Sequence, residues 1–242
     1  MSDTIQKPEP EPNTFARRLK PVVAFLQARM GSTRLPGKVL MNIHGQSILE
    51  RAIRRLRAAP MVDRVVVLTT GLSQDDAVVE ETQKLCTEVY RGPVDDVLTR
   101  FYEATAKFRP AIIIRATADN PLIEIGSIER IVDAIDWGGF DFCMEKGLSY
   151  GAATEAFTAE ALTRAHKNAR DHRHREHVTL YIKEHPEEFR VSYLTAPESL
   201  KYPEVRLTVD TPEDFAFMEE LIGKIPERRN PIPLSEFLKL AK

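Results

Sequence analysis

The sequence predicts an α/β fold built on a mainly parallel sheet. Two apolar runs support this prediction: residues 22–26, which are five consecutive apolar residues bounded by polar ones, and residues 64–70. Runs of this length and composition are typical of strands buried on both faces. A helix is predicted between the two strands because apolar residues recur there at helical spacing, namely Ile48, Leu49, Ala52, Ile53 and Leu56.

The remaining elements continue the alternation of strand and helix. Ser47 and Glu50 form an S-x-x-E pattern that predicts the start of the first helix. Further predicted elements are a helix over 75–85, a strand over 88–90, a helix after the Gly92-Pro93 turn and a strand over 112–114. The arginines of the first helix are expected on its solvated face; they are Arg51, Arg54, Arg55 and Arg57.

Length and composition restrict the class of protein. The chain has 242 residues, of which 43% are hydrophobic and 29% charged, as is ordinary for one globular α/β domain. We predict a single domain over residues 21–242, preceded by a disordered tail over residues 1–20 that is polar and contains P-E-P-E-P. A formal net charge of -2 gives no electrostatic footprint for nucleic acid or an anionic membrane surface.

Targeting features and cysteines point to one compartment. The sequence contains no apolar run of signal-peptide or membrane-spanning length. Its two cysteines, Cys86 and Cys143, make neither a disulfide framework nor a metal motif. We therefore expect a cytoplasmic protein with no membrane partner and no nucleic-acid partner.

The loop after the first strand is rich in donors. It combines two glycines, Gly31 and Gly37, with the polar and cationic side chains of Gln27, Arg29, Ser32, Thr33, Arg34 and Lys38. Glycines allow the backbone to approach a ligand closely, and backbone N–H groups together with fixed cations compensate an anion at the end of a strand. The loop is therefore predicted to bind a polyphosphate at the usual ligand edge of an open α/β sheet.

Two other interpretations of this loop are less consistent with its residues. In a Walker A motif, four residues separate the glycines and a hydroxyl follows the lysine, whereas here five residues separate Gly31 from Gly37 and Val39 follows Lys38. Pro36 also removes one N–H. An ordinary basic loop facing solvent is the second alternative, and the combination of two arginines, a lysine and two glycines directly after an apolar strand favours the anion.

Residues 27–38, Q-A-R-M-G-S-T-R-L-P-G-K, resemble a motif of the cytidylyltransferases that make CMP-sugars. The resemblance is closest to the SpsF-like branch, named for spore coat polysaccharide biosynthesis and related to the CMP-Kdo synthetases. It implies a Rossmann-like nucleotidyltransferase (GT-A-like) three-layer fold with a mixed, mainly parallel sheet. It also implies CTP as substrate, Mg²⁺ as cofactor and pyrophosphate as product. The loop residues then expected at the nucleotide are Gln27, Ala28, Arg29, Met30, Gly31, Ser32, Arg34 and Lys38.

A second group of polar residues follows the strand over 112–114. Asp119 stands where the strand should end, at the same sheet edge as the loop, and a carboxylate facing phosphates needs a divalent cation between them. The segment from Arg115 to Pro121 resembles the family's R-x-T-G-D-x-P, which makes Asp119 a metal ligand, although Ala118 replaces the usual glycine. The alternative role for Asp119 is an Asx-turn. Arg115 and Thr117 are expected to read the base.

Asp210 is the second predicted metal ligand. Thr211, Pro212 and Asp214 form a well-defined helix start, which leaves the side chain of Asp210 without a capping role. The segment over 207–214 resembles the family's L-T-V/I-D-T-P-E-D, in which this aspartate binds metal. We therefore expect Asp119 and Asp210 to hold Mg²⁺ together.

The segments between these two aspartates are expected to bind the acceptor. Residues 151–155 resemble the family's G-x-x-x-E and residues 175–179 its R-E-H-V-T, which makes Glu155, Arg175 and His177 the predicted acceptor-binding residues; a solvated helix start is the alternative for the second segment. The three histidines of this region do not share one helical face, which argues against zinc. Similar segments build a dimer contact in the family, so the resemblance also implies a homodimer.

Asp95, Asp96 and Arg100 allow two interpretations. Helix capping and pairing on the helix surface explain them without a ligand. A similar segment of the family lies near the nucleotide, which would give Asp96 or Arg100 a part in shaping the base pocket. The sequence leaves both interpretations open.

The predicted reaction is attack of an acceptor oxygen on the α-phosphorus of CTP. It needs positive charge and positioning more than covalent chemistry, and Arg34, Lys38, Asp119 and Asp210 are the predicted catalytic residues. A small sugar, sugar acid or phosphorylated molecule is the expected acceptor, for cell-surface polysaccharide biosynthesis. The alternatives are a glycosyltransferase, which usually has two aspartates one residue apart where residues 117–121 have one, and a non-catalytic nucleotide-binding module.

Overall fold

A computed structural model describes residues 19–226 and 231–241. Most of the predicted tail, residues 1–18, lies outside the described residues, as do residues 227–230 and 242. Leu19, which we assigned to the tail, donates its backbone N–H to Asp136 Oδ1 at 2.8 Å. Within the described part of the chain, no helix is both long enough and apolar enough to cross a membrane.

The described residues form one large sheet and one small hairpin. In chain order the strands are β1 (Val22–Gln27), β2 (Asn42–Ile43), β3 (Gln46–Ser47), β4 (Arg64–Thr70), β5 (Glu88–Gly92), β6 (Ile112–Thr117), β7 (Phe142–Lys146), β8 (Glu155–Thr158) and β9 (Val191–Thr195). Strands β2 and β3 pair with each other, and the other seven follow the order β5-β4-β1-β6-β8-β7-β9. Only β8 runs against its neighbours, so the sheet is mixed and mainly parallel.

Helices cover both faces of this sheet. In chain order they are α1 (Ile48–Ala58), α2 (Asp76–Lys84), α3 (Val97–Phe108), α4 (Ile125–Gly138), α5 (Ala159–Asn168), α6 (His172–Glu176), α7 (Leu180–Glu184), α8 (Pro212–Gly223) and α9 (Leu234–Leu240). Helices α1, α2 and α4 contribute to the apolar core on one face, and α3, α5 and α7 to the core on the other. The predicted three-layer α/β fold is confirmed.

The sheet has nearly continuous apolar strands, as burial on both faces requires. Alternate residues of β1 pack into opposite cores. Val22 and Ala24 belong to the core on one face of the sheet, and Val23 and Phe25 belong to the core on the other. A third apolar cluster joins α8 and α9 to the chain that follows β6 and β7. This cluster brings the C-terminal part of the chain against the central strands, and residues 205–210 belong to it through Val205, Leu207 and Val209.

The first helix differs from expectation in one respect. Its start is confirmed, because Ser47 Oγ accepts the backbone N–H of Glu50 at 3.0 Å. The prediction that Arg55 lies on the solvated face is wrong. Arg55 is 4% exposed and donates to the backbone oxygens of Ile123, at 2.5 Å, and Ile232, at 2.8 Å. Burial lowers the pKa of Arg55 to about 10, against a smaller opposing effect of the Glu124 charge. The fold therefore uses this guanidinium to tie two distant segments to α1.

Candidate active site

Three segments that are distant in sequence meet at the carboxyl edge of the sheet. Gln27 and Thr117 pair at the ends of the parallel strands β1 and β6. Beyond them, Ala118 N–H donates to Gln27 O at 2.9 Å, and Val209 N–H donates to Asp119 O at 2.9 Å. The loop after β1, the residues after β6 and the residues before α8 are therefore brought together by backbone hydrogen bonds.

The loop after β1 is shaped by Met30 and Gly37. The Met30 carbonyl accepts the backbone N–H groups of both Ser32, at 2.8 Å, and Gly37, at 3.0 Å, which closes the loop on itself. Gly37 has φ +72, and a Cβ built on it would lie 3.2 Å from Met30 Cε, so the position favours glycine in both respects. The N–H of Met30 donates in turn to the fully buried Asp75 carboxylate at 2.7 Å.

Several N–H groups of this loop have no hydrogen-bond acceptor within the described chain. They belong to Arg29, Gly31, Thr33 and Arg34. All four residues line a cleft of about 320 Å³, which we call the loop cleft. Backbone N–H groups that are not used within the protein are the donors that phosphate oxygens require, so the geometry of the loop agrees with the predicted anion site.

The centre of the site is an ionic cluster around Lys38. Its Nζ lies 2.9 Å from Asp119 Oδ2 and 2.7 Å from Asp210 Oδ1, and the lysine side chain is only 10% exposed. Arg34 reaches the same Asp210 oxygen at 3.2 Å from a largely exposed position. Burial raises the pKa of Asp210, but the hydrogen bond from Lys38 and the charges of Lys38, Arg34 and Arg206 together lower that pKa below its ordinary value.

Asp210 is oriented by residues on its other side. Arg206 Nη2 donates to Asp210 Oδ2 at 2.5 Å, while Arg206 Nε donates to Asp214 Oδ1 at 2.9 Å. Asp214 also accepts the backbone N–H groups of Asp210 and Thr211, and Thr211 caps α8 in return with Pro212 in the first turn. The predicted helix start is confirmed, and the Asp210 carboxylate is left to face Lys38.

A second cleft adjoins the loop cleft. It has a volume of about 560 Å³ and is lined by the ends of β6, β7 and β8 and by residues 147–151; we call it the β8 cleft. Four residues line both clefts: Arg34, Thr117, Asp119 and Asp210. The volume of each cleft lies in the usual range for small-molecule sites. The charged cluster therefore lies where molecules held in the two clefts would meet.

Glu155 forms part of the wall of the β8 cleft and is fixed by three donors. Its Oε2 accepts from Arg115 Nη1 at 2.8 Å and from Thr179 Oγ1 at 2.9 Å, and its Oε1 accepts from Lys183 Nζ at 2.9 Å. Burial raises the pKa of Glu155, but the charges of Arg115 and Lys183 and the hydrogen bonds lower it overall. The carboxylate is thus ionised and already paired within the chain, and the R-E-H-V-T segment contacts it through Thr179.

Arg175 and His177, which we predicted at the acceptor, are not among the described residues that line the two clefts. Arg175 Nε donates to Asp96 Oδ2 at 2.9 Å, and its Nη2 donates to Thr99 Oγ1 at 2.6 Å, which fastens α6 to the start of α3. His177 is exposed just after α6. Asp96 caps α3 by accepting the backbone N–H of Thr99. This is the helix-capping role that the sequence also allowed for Asp96.

The sequence reasoning missed several residues that fix this site. Arg206, Thr179 and Lys183 orient the two carboxylates described above, and Asp75 supports the loop. The partners of Thr179, Lys183 and Asp75 lie 24 to 45 residues away in sequence, so no local pattern reveals them. Arg206 lies only four residues before Asp210, a spacing that surface ion pairs share. The approach of Lys183, on α7, to Glu155, at the start of β8, is visible only once the packing of that helix against the sheet is known.

Comparison with known proteins decides the family. A sequence profile for the family described as Cytidylyltransferase matches residues 23–239, which is nearly the whole chain. The chain belongs to the cytidylyltransferase family. The resemblance found in the loop is confirmed, and so is nucleotidyl transfer as the reaction class, in place of glycosyl transfer or binding without catalysis.

Two relatives extend along most of this cytidylyltransferase. It is 42% identical over 200 residues to the uncharacterized protein MJ1063 of Methanocaldococcus jannaschii, covering 83% of this chain and 82% of that protein. It is 34% identical over 224 residues to the spore coat polysaccharide biosynthesis protein SpsF of Bacillus subtilis, covering 90% of this chain and 93% of that protein.

Solved structures confirm the nucleotidyltransferase fold. A cytidylyltransferase from Leptospira borgpetersenii superposes with a TM-score of 0.83 at 30% identity, covering 90% of this chain and 92% of that one. A CMP:2-keto-3-deoxy-manno-octonic acid synthetase complexed with CTP superposes with a TM-score of 0.64 at 17% identity, covering 85% of this chain and 99% of that one. At that identity the second likeness supports the fold alone.

The ion pairs of the site make stability depend on pH. Folding lowers the pKa of Asp210 below its ordinary value of 3.8, so the native state binds fewer protons than the unfolded chain in that range. The contribution of the Asp210 carboxylate to the free energy of unfolding is therefore complete when the pH is above the ordinary pKa. It is lost as the pH falls through the lowered pKa of the folded state. Between about pH 5 and pH 3, we expect the free energy of unfolding of Asp210→Asn to fall less steeply than that of the wild type.

Denaturant unfolding at several pH values measures this slope. Asp95→Asn, which changes the same charge at an exposed position, is the matched control and should retain the wild-type slope. Equal slopes for the wild type and Asp210→Asn would show that Asp210 gains nothing from its cationic neighbours.

Proposed function

We propose that this cytidylyltransferase transfers CMP from CTP to an oxygen of a small sugar, sugar acid or phosphorylated sugar, using Lys38, Arg34, Asp119 and Asp210 as catalytic residues. The observation that supports this assignment is the Lys38 ammonium between Asp119 and Asp210, at the boundary of the two clefts. Cations and carboxylates that converge on one point at the end of β1 and β6 suit a triphosphate and the metal it carries.

The loop cleft is the proposed nucleotide site. Its unpartnered N–H groups and the side chains of Arg29 and Arg34 would bind the phosphates, with Lys38 nearest the departing pyrophosphate. Thr117 lines the same cleft, whereas Arg115, the other residue that we expected at the base, lines the β8 cleft. The β8 cleft is therefore the proposed acceptor site, and there Arg115 would act together with Glu155 on the acceptor and not on cytosine.

Asp119 and Asp210 are the proposed ligands of Mg²⁺. The two aspartates suit the ion, because oxygens of both carboxylates already share one cation, the ammonium of Lys38, within 3 Å. They are also the hard oxygen donors that Mg²⁺ prefers. When bound, the ion would supply positive charge beside the phosphate oxygens. Arg206 would keep the Asp210 carboxylate in the required orientation.

The nature of the acceptor is supported by the charges of the β8 cleft. Glu155 is paired with Arg115 and Lys183 and takes part in bonds to Thr179, so this wall presents fixed, mutually compensated polar groups. Such a wall suits a polyhydroxylated molecule that exchanges hydrogen bonds at several points. The SpsF relative bears the name of a polysaccharide biosynthesis protein, which agrees with a sugar acceptor for cell-surface polysaccharide. A homodimer, expected from the family resemblance, stays a prediction that light scattering can test.

The activity itself is the first test. We expect pyrophosphate release when the chain is mixed with CTP, Mg²⁺ and a suitable member of a panel of acidic, neutral and phosphorylated sugars, and no release when the sugar is omitted. A thermal-shift series with the four nucleoside triphosphates identifies the base, because a ligand that binds only the native state raises the melting temperature. Equal stabilisation by ATP and CTP would contradict cytidylyl specificity.

Lys38→Ala tests the ammonium. We expect turnover to fall at least about a hundredfold, because a preorganised positive charge is removed from the developing negative charge of the leaving group. Steady-state pyrophosphate release measures the loss. Lys167→Ala, which removes an exposed lysine of α5, is the control and should keep wild-type turnover. Near-normal transfer by Lys38→Ala would remove Lys38 from the mechanism.

Arg206→Met tests the orientation of Asp210. We expect activity to fall about 10- to 100-fold, as is typical when a residue that orients a metal ligand is lost, together with a weaker dependence of rate on Mg²⁺ at low concentration. Arg206→Lys should recover part of the loss. Arg64→Met, which breaks an exposed ion pair with Glu88, is the matched control. A variant with normal activity and normal Mg²⁺ dependence would show that Asp214 and the backbone suffice.

A further inference from the structure

The carboxylate pair of the site is already bridged by a cation of the protein itself. Lys38 Nζ lies within hydrogen-bond distance of one oxygen of Asp119 and one of Asp210. Since Mg²⁺ binds carboxylate oxygens at about 2.0–2.1 Å, an ion that took these same two oxygens as ligands would enter the space of the ammonium. Two cations at such a separation repel each other strongly.

We infer that Lys38 occupies the divalent-cation position of the nucleotide-free protein, and that the triphosphate must draw its ammonium away before Asp119 and Asp210 can hold a metal ion. This inference rests on the proposed function, because it assumes that those two carboxylates are the metal ligands. It assigns to Lys38 a second task besides neutralising phosphates, which is to exclude the metal until the nucleotide arrives.

The charge of the cluster supports this order. Each carboxylate of the cluster is matched by a cation in direct contact, and the two sets are Asp119, Asp210 and Asp214 against Lys38, Arg34 and Arg206. The cluster therefore has no excess of negative charge with which to attract a divalent cation from water. A nucleoside triphosphate brings that excess, and it offers the ammonium new acceptors.

Lys38 is placed to move between the two partners. It is the first residue of the 3-10 helix Lys38–Leu40, and it lines the loop cleft together with the unpartnered N–H groups of Gly31 and Thr33. Oxygens bound at those N–H groups would lie in the same cleft as its ammonium. The remaining oxygen of Asp210, Oδ2, stays with Arg206, so the carboxylate need not reorient when Lys38 leaves.

The consequence is positive coupling between nucleotide and metal. A ligand that removes the ammonium raises the affinity of the carboxylates for metal, and the metal raises the affinity for nucleotide by the same factor. Such couplings are typically about 5- to 150-fold. Without nucleotide the wild type should therefore bind divalent cations weakly, and removal of the Lys38 charge alone should tighten that binding.

Binding of Mn²⁺ to the full chain without nucleotide tests the inference. The loss of the electron paramagnetic resonance signal of free Mn²⁺ reports binding and needs no turnover. We expect Lys38→Met to bind Mn²⁺ at least about tenfold more tightly than the wild type, within the usual range for such coupling. The double variant Lys38→Met, Asp210→Asn should lose this gain, and Lys167→Met should bind as the wild type does.

Two results would overturn the inference: wild-type affinity as high as that of Lys38→Met, or a gain that survives the Asp210→Asn change. Lys38→Gln, which keeps a hydrogen-bond donor near the carboxylates without a charge, serves if Lys38→Met does not give a folded chain by circular dichroism. Failure here leaves cytidylyl transfer intact, since pyrophosphate release is measured separately. Absence of pyrophosphate release with a gain in Mn²⁺ affinity would reject the proposed function alone.

Discussion

The contact of one ammonium with two carboxylates is the constraint around which this site is built. Asp119 and Asp210 are partly buried and lie close enough for oxygens of both to reach Lys38 Nζ, so without a cation the two carboxylates would repel each other. The mainly parallel sheet makes the contact feasible, because it brings the ends of β1 and β6 to one edge. The third residue, Asp210, is held at this edge because the residues before it pack into the third apolar cluster through Val205, Leu207 and Val209.

Supporting bonds turn this contact into a defined geometry. Arg206 and Asp214 bind Asp210 from the side that faces away from Lys38, and the Met30 carbonyl closes the loop that carries Arg34. Gly151 allows the backbone before Asp210 to approach closely. It has φ +96, and a Cβ built on it would lie 2.7 Å from the backbone nitrogen of Thr208. The segment before Asp210 can therefore pack against this turn only because residue 151 lacks a side chain.

Much of the fold and the centre of the site could be predicted from the sequence, for identifiable reasons. The strand over 22–27 and its loop are local features, since apolar runs and glycines report burial and turns directly. Asp210 was predictable because Thr211 and Pro212 account for the helix start without it. The proximity of Lys38 and Asp119 followed from the rule that ligand sites lie at the carboxyl ends of parallel strands, whereas Asp210, which follows no strand of the sheet, was assigned to the same site from the family resemblance.

Other features depended on contacts that no local pattern encodes. Arg55 lies on the packed face of α1, seven residues after Ile48, but its charge led us to expect it in solvent. The two distant carbonyl groups that accept its hydrogen bonds are not visible in the sequence around it. Arg175 lies in a motif-like segment but fastens α6 to Asp96. The reversal of β8 and its place beside β6 set the wall of the β8 cleft, and strand order of this kind is decided by packing of the whole chain.

The separation of the site residues along the chain has a consequence for biosynthesis. Lys38 and Asp210 are 172 positions apart, and Asp119 lies between them. During translation the first strands and their loop leave the ribosome long before Asp210 does, and a domain generally folds as a unit. A nascent chain therefore carries Lys38 and Asp119 without the distal aspartate, and the ionic cluster of the three residues cannot be complete until synthesis has passed the start of α8.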